Sequence, residues 1–320
     1  MTPCAVSEDG GREGRPRAER GARADPYDGG MSTSQRPGRP SVGVVVPAFN
    51  EEAVLRRCLQ AVLDQTVAAE QIVVVDNGST DGTRAVVTRL QAAHPEAPLV
   101  LIEQTAERGL VPTRNAGLDA ARADVLGRID ADSVPAPDWV EVVQRAFRDP
   151  DLAAVTGPVL YYDLPLRRLG LSLDDAWRRL VTALVGHRHP ILYGSNMAVR
   201  RTAWEQIRGT LCRDEDDRMH EDIDLSLHLS EHGLRTVYLP DMVAGVSARR
   251  MDDSPAQFRE YVGRFRRTYR AHRTPSPVPT AARIVLYSVY WPVRLLRLLR
   301  GHPRGPRGAA PARGGAPDGT

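Results

Sequence analysis

Lysine is absent from this chain; all 43 of its Lys-or-Arg positions are arginine. With abundant Ala, Gly and Pro, that reads as the codon bias of a high-GC genome, so no arginine here can be argued to stand where lysine was rejected. Cysteine is almost as scarce. Cys4, Cys58 and Cys212 are odd in number and far apart, which excludes a disulfide framework, offers no metal-binding spacing and points to a reducing cytosol. Residues 1–40 hold almost no large apolar side chains and no apolar h-region. They read as a disordered extension rather than a secretory signal, or as an artefact ahead of a true start at Met31. No uncharged apolar run reaches the ~18–20 residues of a spanning helix. Aromatics make up only 5%, no internal repeat is visible, and the net charge is a mild +3. The arginine excess is spread out and falls largely in the tails, which excludes a nucleic-acid partner.

What is present suffices for a core: 42% hydrophobic residues in a chain of 320, enough for one large α/β domain or two small ones. The organising stretch is Val125-Leu126-Gly127-Arg128-Ile129-Asp130-Ala131-Asp132. It reads as a buried strand ending in two carboxylates, with Ser133 and Pro135 stopping it. Side chains at i and i+2 of an extended segment share a face, so Asp130 and Asp132 can converge. A hard divalent cation with oxygen ligands, Mn²⁺ or Mg²⁺, relieves their repulsion and fills its shell with phosphate and water. Taken alone, Asp-x-Asp also suits a solvated turn.

Upstream, Val42-Gly43-Val44-Val45-Val46 reads as a strand ended by Pro47. A helix follows, carrying Val54, Leu55, Cys58, Leu59, Val62 and Leu63 at helical spacing, with Asn50 as its N-cap and Glu51 and Glu52 in its first turn. A second strand, residues 71–75, runs into the loop Asp76-Asn77-Gly78-Ser79-Thr80-Asp81-Gly82-Thr83 and a helix to about Ala93. A third strand covers 99–102, and Arg114-Asn115-Ala116-Gly117 lies in the helix after it. Strand and helix thus alternate up to Asp130, the pattern of a mostly parallel sheet with helices on its faces. Pro47, Asp76 and Asp130 share the carboxyl edge, where such sheets bind ligands. Further on, 138–148 reads as a helix, 153–160 as a strand, 164–189 as an Arg-rich helix, 192–200 as a strand, 221–232 as a helix ended by Gly233, and 236–239 as a late strand.

Five of these features occur in order: Val44-Val45-Val46-Pro47-Ala48-Phe49-Asn50-Glu51, Val75 to Thr83, Arg114 to Gly117, Asp130-Ala131-Asp132, and Glu221-Asp222. One is unspecific; the ordered set resembles the family 2 glycosyltransferases, inverting enzymes of the GT-A fold, over roughly residues 41–250. The resemblance implies a Rossmann-like sheet with a nucleotide-sugar half (41–135), an acceptor half (136–250) and a C-terminal helical extension. It implies that Pro47, Phe49 and Glu51 lie under the base and ribose, that Asp76 hydrogen-bonds the base, and that Asp130 and Asp132 hold the metal. It also makes Asp222 the general base. Arg114 has two readings, a donor contact or a salt bridge that positions the loop. Glu221 and Asp222 are otherwise an acidic first helical turn, and Asp224 faces elsewhere. The chemistry suits these roles: an in-line displacement needs a carboxylate to deprotonate the acceptor hydroxyl and a cation at the departing diphosphate. The Gln-x-x-Arg-Trp motif of processive members is absent; Arg249-Arg250 and Gln257-Phe258-Arg259 occupy that region without matching it. A single transfer is therefore expected, in bacterial glycan, glycolipid or envelope synthesis, with a glycan or lipid-linked acceptor. His187 and His189 could touch that acceptor. A sugar-phosphate nucleotidyltransferase would need a Gly-rich basic loop where this chain has Pro47 to Glu51. A catalytically inactive sugar-nucleotide binder would follow from loss of Asp132 or Asp222, and both are present.

Residues 251–300 read as helices. Phe258, Tyr261, Phe265 and Tyr269 share one face, and the apolar, Arg-punctuated stretch 283–300 suits either a helix lying in an anionic membrane surface or one docked on the protein. The expected location is the cytoplasm, with peripheral contact on the inner face of the membrane under the first of these readings. Residues 301–320 read as a disordered tail.

Overall fold

The structure, a computed structural model, describes residues 39–185, 191–214 and 216–300. The expected disorder of residues 1–38 and 301–320, and His187 and His189, lie outside them. The first strand, β1 (Val42–Ala48), is buried along its whole length. Val42, Val44, Val46 and Ala48 pack with Leu55, Leu59, Trp139 and Val140 on one face of the sheet, and Val45 packs with Leu118, Leu126 and Trp204 on the other. An unbroken apolar strand with helices on both sides is what a buried parallel sheet requires. Parallel partners are β2 (Gln71–Asp76) and β4 (Val125–Arg128), with β3 (Leu99–Glu103) beyond β2. Helices α1 (Glu52–Leu63), α2 (Thr83–Ala93) and α3 (Leu110–Ala120) make the crossovers.

The same sheet continues with β8 (Met197–Arg200), antiparallel to β4, then β6 (Leu152–Thr156) and β9 (Arg235–Tyr238), in the order β3-β2-β1-β4-β8-β6-β9. A small second sheet joins β5 (Val134–Pro135), β10 (Ala244–Val246) and β7 (Val159–Tyr161). Helices α4 (Trp139–Ala146), α5 (Arg167–Val185), α6 (Arg201–Ile207) and α7 (Glu221–Glu231) complete the α/β unit.

Several boundaries differ from the sequence reading. Pro47 does not end β1; it pairs in register with Val75. The pairing with β4 stops at Val45–Arg128, and Pro47 has the parity of Val45, so its missing N–H faces a side where no strand accepts it. Strand β4 stops at Arg128, and Ser133 N–H donates to the Asp130 carbonyl at 2.8 Å, so Asp130 to Ser133 is a turn, not extended chain. The strand expected over 153–160 is two strands in two sheets. At the break, a Cβ on Gly157 would stand 2.0 Å from the Met242 carbonyl oxygen. The strand expected from Leu192 starts only at Met197, because the Leu192 and Gly194 N–H groups are taken by side chains of α7, Ser226 at 2.8 Å and Asp222 at 2.9 Å.

A 3-10 turn, Ala248–Asp252, leads into α8 (Pro255–Ala271) and α9 (Val278–Leu299). Ser254 and Gln257 form a capping box at the start of α8. Helix α9 docks through one face: Tyr290 stacks on Phe258 at 4.1 Å, and Arg297 reaches Asp252 and Asp163 at 2.7 and 2.5 Å. Its other face carries Ile284, Trp291, Leu295 and Leu299, all exposed. Among the described residues no helix is long and apolar enough to cross a membrane.

Candidate functional site at the carboxyl edge of the sheet

Two loops at this edge build one frame. Asn50 takes a left-handed backbone conformation, φ 54°, and its Oδ1 accepts from the Thr80 N–H at 2.8 Å. It is therefore not the N-cap of α1, which is Glu51. The free N–H groups at the start of α1 are met from the neighbouring loop: Thr83 Oγ1 accepts from Glu51 at 2.8 Å and Asp81 Oδ2 from Glu52 at 3.2 Å. Glu52 answers by accepting from Gly82 N–H at 2.9 Å. The loops 47–52 and 76–83 thus cap each other's helices. Asp76 lies beneath them, fully buried, both oxygens accepting from Ser79 N–H at 3.2 Å. It holds the loop from below, with Arg84 at 3.6 Å. Pro47 is buried, whereas Phe49 and Glu51 are half-buried at the rim.

Two arginines hold the acidic pair. Arg249 Nε lies 2.8 Å from Asp132 Oδ2, and its two Nη atoms grip both Glu51 oxygens at 2.7 and 2.6 Å. Asp130 is paired instead with Arg128 at 2.9 Å. Arg128, only 1% exposed, also meets Glu221 at 2.5 Å. Arg114, with no exposed surface, donates to the Glu221 carbonyl at 2.7 Å and to the Asn115 side chain. Both of these partners lie within the protein, at the start of α7 and in α3.

Asp222 opens α7 beside this buried network. Its two oxygens accept from Gly194 and Ile223 N–H groups, each at 2.9 Å. Burial and the neighbouring Glu221 push its carboxyl up to about 7. Burial alone would raise Glu221 too, but Arg128 and Arg114 hold it below the ordinary value. Two adjacent carboxyls are thereby driven apart, one a fixed anion and the other able to take a proton near neutrality. Asp224 does face elsewhere, towards His228 and His272.

The family model for glycosyl transferase family 2 matches residues 43–208. This chain belongs to that family. A second model, glycosyl transferase family group 2, matches the chain over residues 128–301. It is 31% identical over 104 residues to the glycosyltransferase AglE of Haloferax volcanii, covering 32% of this chain and 34% of that one. It is 26% identical over 231 residues to an N-acetylglucosaminyltransferase of Rhizobium meliloti, covering 64% and 50%. Across the first curated relatives, the matched stretch spans between 17% and 50% of their length. Among solved structures, the mannosyltransferase PcManGT of Pyrobaculum calidifontis, in complex with GDP-Man and Mn²⁺, superposes with a TM-score of 0.58 at 25% identity, covering 82% of this chain and 75% of that one. These likenesses establish the GT-A architecture of this family member.

Three members of the site escape sequence reasoning. Arg128 is legible only as part of a strand, Arg249 only as a mismatch to a processive motif, and Gly194 only as a small residue. Gly194 is the most tightly constrained: a Cβ there would lie 1.7 Å from Arg128 Nη1. Gly194→Ala should therefore drive the guanidinium off Glu221 and Asp130 and cost about 3–5 kcal/mol, the range for breaking a buried ion pair. Urea denaturation measures this, and a loss below about 1 kcal/mol, the worth of an exposed pair, would show that Arg128 is not held there.

Proposed function

We propose that this enzyme is an inverting, divalent-cation-dependent glycosyltransferase that moves a sugar from a nucleotide-diphosphate donor to an acceptor hydroxyl. The observation that carries this reading is the ion-paired chain Asp130–Arg128–Glu221. It ties the acidic pair beyond β4 to the start of α7, so the carboxylates suited to a metal diphosphate and the one suited to a hydroxyl proton keep a fixed relation. Asp130 and Asp132 are assigned the metal. The fit is supported by the donor chemistry, since both side chains offer the carboxylate oxygens that Mn²⁺ or Mg²⁺ takes, and the charge of Asp132, now met by Arg249, is one that a cation can meet in its place. When bound, such a cation neutralises the charge that develops on the leaving diphosphate. The complex of PcManGT with GDP-Man and Mn²⁺ supports a nucleotide sugar and a cation of this kind.

Pro47, Phe49 and Glu51 are assigned the nucleoside end of the donor, with Asp76 acting through the loop that it anchors. Asp222 takes the acceptor proton. Its carboxylate accepts from two backbone N–H groups, which fixes its orientation before any acceptor arrives. A base near neutrality loses least between being deprotonated and being basic enough to act. The acceptor is proposed to be a glycan or lipid-linked sugar in envelope synthesis. The outward apolar face of α9, with Arg283 and Arg300 exposed beside it, supports peripheral contact of residues 283–300 with an anionic membrane at its cytoplasmic face.

Four outcomes are expected. Asp132→Asn should abolish Mn²⁺-dependent binding of UDP or GDP in calorimetric titration while leaving the circular dichroism unchanged; equal affinity in both proteins contradicts the metal assignment. Asp222→Asn should lower turnover by about 10²–10⁴-fold, the usual contribution of a general base, with nucleotide affinity nearly unchanged. Because a raised carboxyl is protonated below its pKa, the wild-type rate should climb as pH rises through about 7. A flat profile there, or a variant that keeps most of its rate, removes Asp222 from the role. Trp291→Asp with Leu295→Asp, at positions 60% and 58% exposed, should reduce sedimentation with phosphatidylglycerol vesicles by tenfold or more, roughly the loss of one buried apolar side chain. Wild-type protein that fails to sediment at low salt rules the membrane contact out.

A further inference from the structure

Away from the carboxyl edge, four side chains from three segments turn inward on one point: Cys212 in the connection after α6, Asp224 and His228 one turn apart on α7, and His272 at the end of α8. One ligand atom from each lies within 4.8 Å of all the others. His228 Nε2 is 3.6 Å from Asp224 Oδ1. Cys212 Sγ is 3.8 Å from His228 Nε2 and 3.7 Å from His272 Nε2. His272 Nε2 and Asp224 Oδ1 are closer, at 2.9 Å. A tetrahedral zinc with bonds of ~2.0–2.3 Å has ligand–ligand edges of roughly 3.3–3.8 Å. Three of these four separations fit that edge, and the fourth needs only a few tenths of an ångström.

The far sides of the two rings make the stronger point. His272 Nδ1 lies 2.7 Å from Glu231 Oε1, and His228 Nδ1 lies 3.3 Å from Glu231 Oε2. One carboxylate thus faces Nδ1 of both imidazoles, with Thr210 Oγ1 a further 3.4 Å neighbour of His228 Nδ1. That arrangement turns Nε2 of both rings to the common point, the orientation that metal-bound histidines receive from an outer carboxylate. The four side chains are closed off from water: His272 is 1% exposed, Asp224 and His228 are 4% and Cys212 is 8%.

We propose that Cys212, Asp224, His228 and His272 bind one zinc ion as a structural site. Thiolate and imidazole select zinc over the oxygen-preferring Mn²⁺ and Mg²⁺. Thiolate and carboxylate together balance the 2+ charge, and four protein ligands leave no open position for catalysis. The ion ties the end of α8 and the segment after α6 to α7, two residues beyond Asp222. The partners of Cys212 lie 12, 16 and 60 residues away and so form no short motif that the sequence could display.

The rival account is a protonated His272 held between Asp224 and Glu231, which would make the Cys212 thiol dispensable. The test uses the full chain, purified without chelator and analysed by plasma mass spectrometry. One zinc per chain is expected, in wild type and in Asp132→Asn alike. Stripping with 1,10-phenanthroline should lower the Tm, and Zn²⁺ should restore it. Loading the stripped protein with Co²⁺ should give tetrahedral ligand-field bands and a thiolate-to-cobalt charge-transfer band. Cys212→Ser should lose the charge-transfer band, and His272→Gln the tetrahedral pattern. If stripped wild-type protein keeps its Tm and takes up neither Zn²⁺ nor Co²⁺, the proposal is wrong. It is equally wrong if Cys212→Ser retains the full zinc content and an unchanged cobalt spectrum. Should either variant fail to fold, the stripped and reloaded wild type decides alone.

Discussion

Arg128 is an ion in the core, and the site depends on how that ion is held. A guanidinium this far from water costs several kcal/mol to desolvate. It is tolerated because carboxylates stand on two sides, Asp130 at 2.9 Å and Glu221 at 2.5 Å. That requirement has consequences for the surrounding chain. Glu221 must be an anion, so Arg114 reinforces its backbone from beneath. Position 194 must lack a Cβ, and the Gly194 N–H is then free to orient Asp222. The group proposed to move a proton is therefore placed by groups that do not.

A second constraint closes the opposite side. The loops after β1 and β2 cap each other's helices, so neither is rigid without the other. Arg249 then comes from the far end of the domain to join Glu51 in the first loop to Asp132 beyond β4. Its charge is raised in persistence by its carboxylate partners, although burial works against it. The carboxyl edge is thus tied across the sheet by two arginines, one buried and one half-exposed. The half-exposed one, Arg249, holds Asp132, the carboxylate proposed to take a cation.

Much of this is legible in the sequence, and the reasons are local. The strands β1 to β4 are apolar on both faces and are bounded by Gly, Asp and Asn loops, so their order and direction follow from composition and alternation. The glycosyltransferase motifs lie on the loops between them, each within a few residues. What escapes is long-range. Pro47 is permitted in β1 only because β4 has already ended. Gly157 divides a single apolar run between two sheets because the Met242 backbone passes over it. Leu192 and Gly194 leave their strand because α7 supplies acceptors for their N–H groups. None of these neighbours is close in sequence, so periodicity carries no trace of them.

The C-terminal helices show why two readings of one segment need not compete. For residues 283–300, the sequence suits docking on the protein or lying on a membrane surface. Helix α9 has two faces with different chemistry. Tyr290 and Arg297 are buried against Phe258, Asp163 and Asp252, which fixes the helix to the domain. Ile284, Trp291, Leu295 and Leu299 point away from it. Leu166, Leu169 and Leu173 are likewise exposed at the start of α5, which contacts α9. An amphipathic helix normally turns its apolar side inward. Here the inward side holds an arginine between two aspartates, and part of the apolar side remains outside. Such a helix is anchored to the domain by stacking and ion pairs on one side and keeps its large apolar side chains exposed on the other.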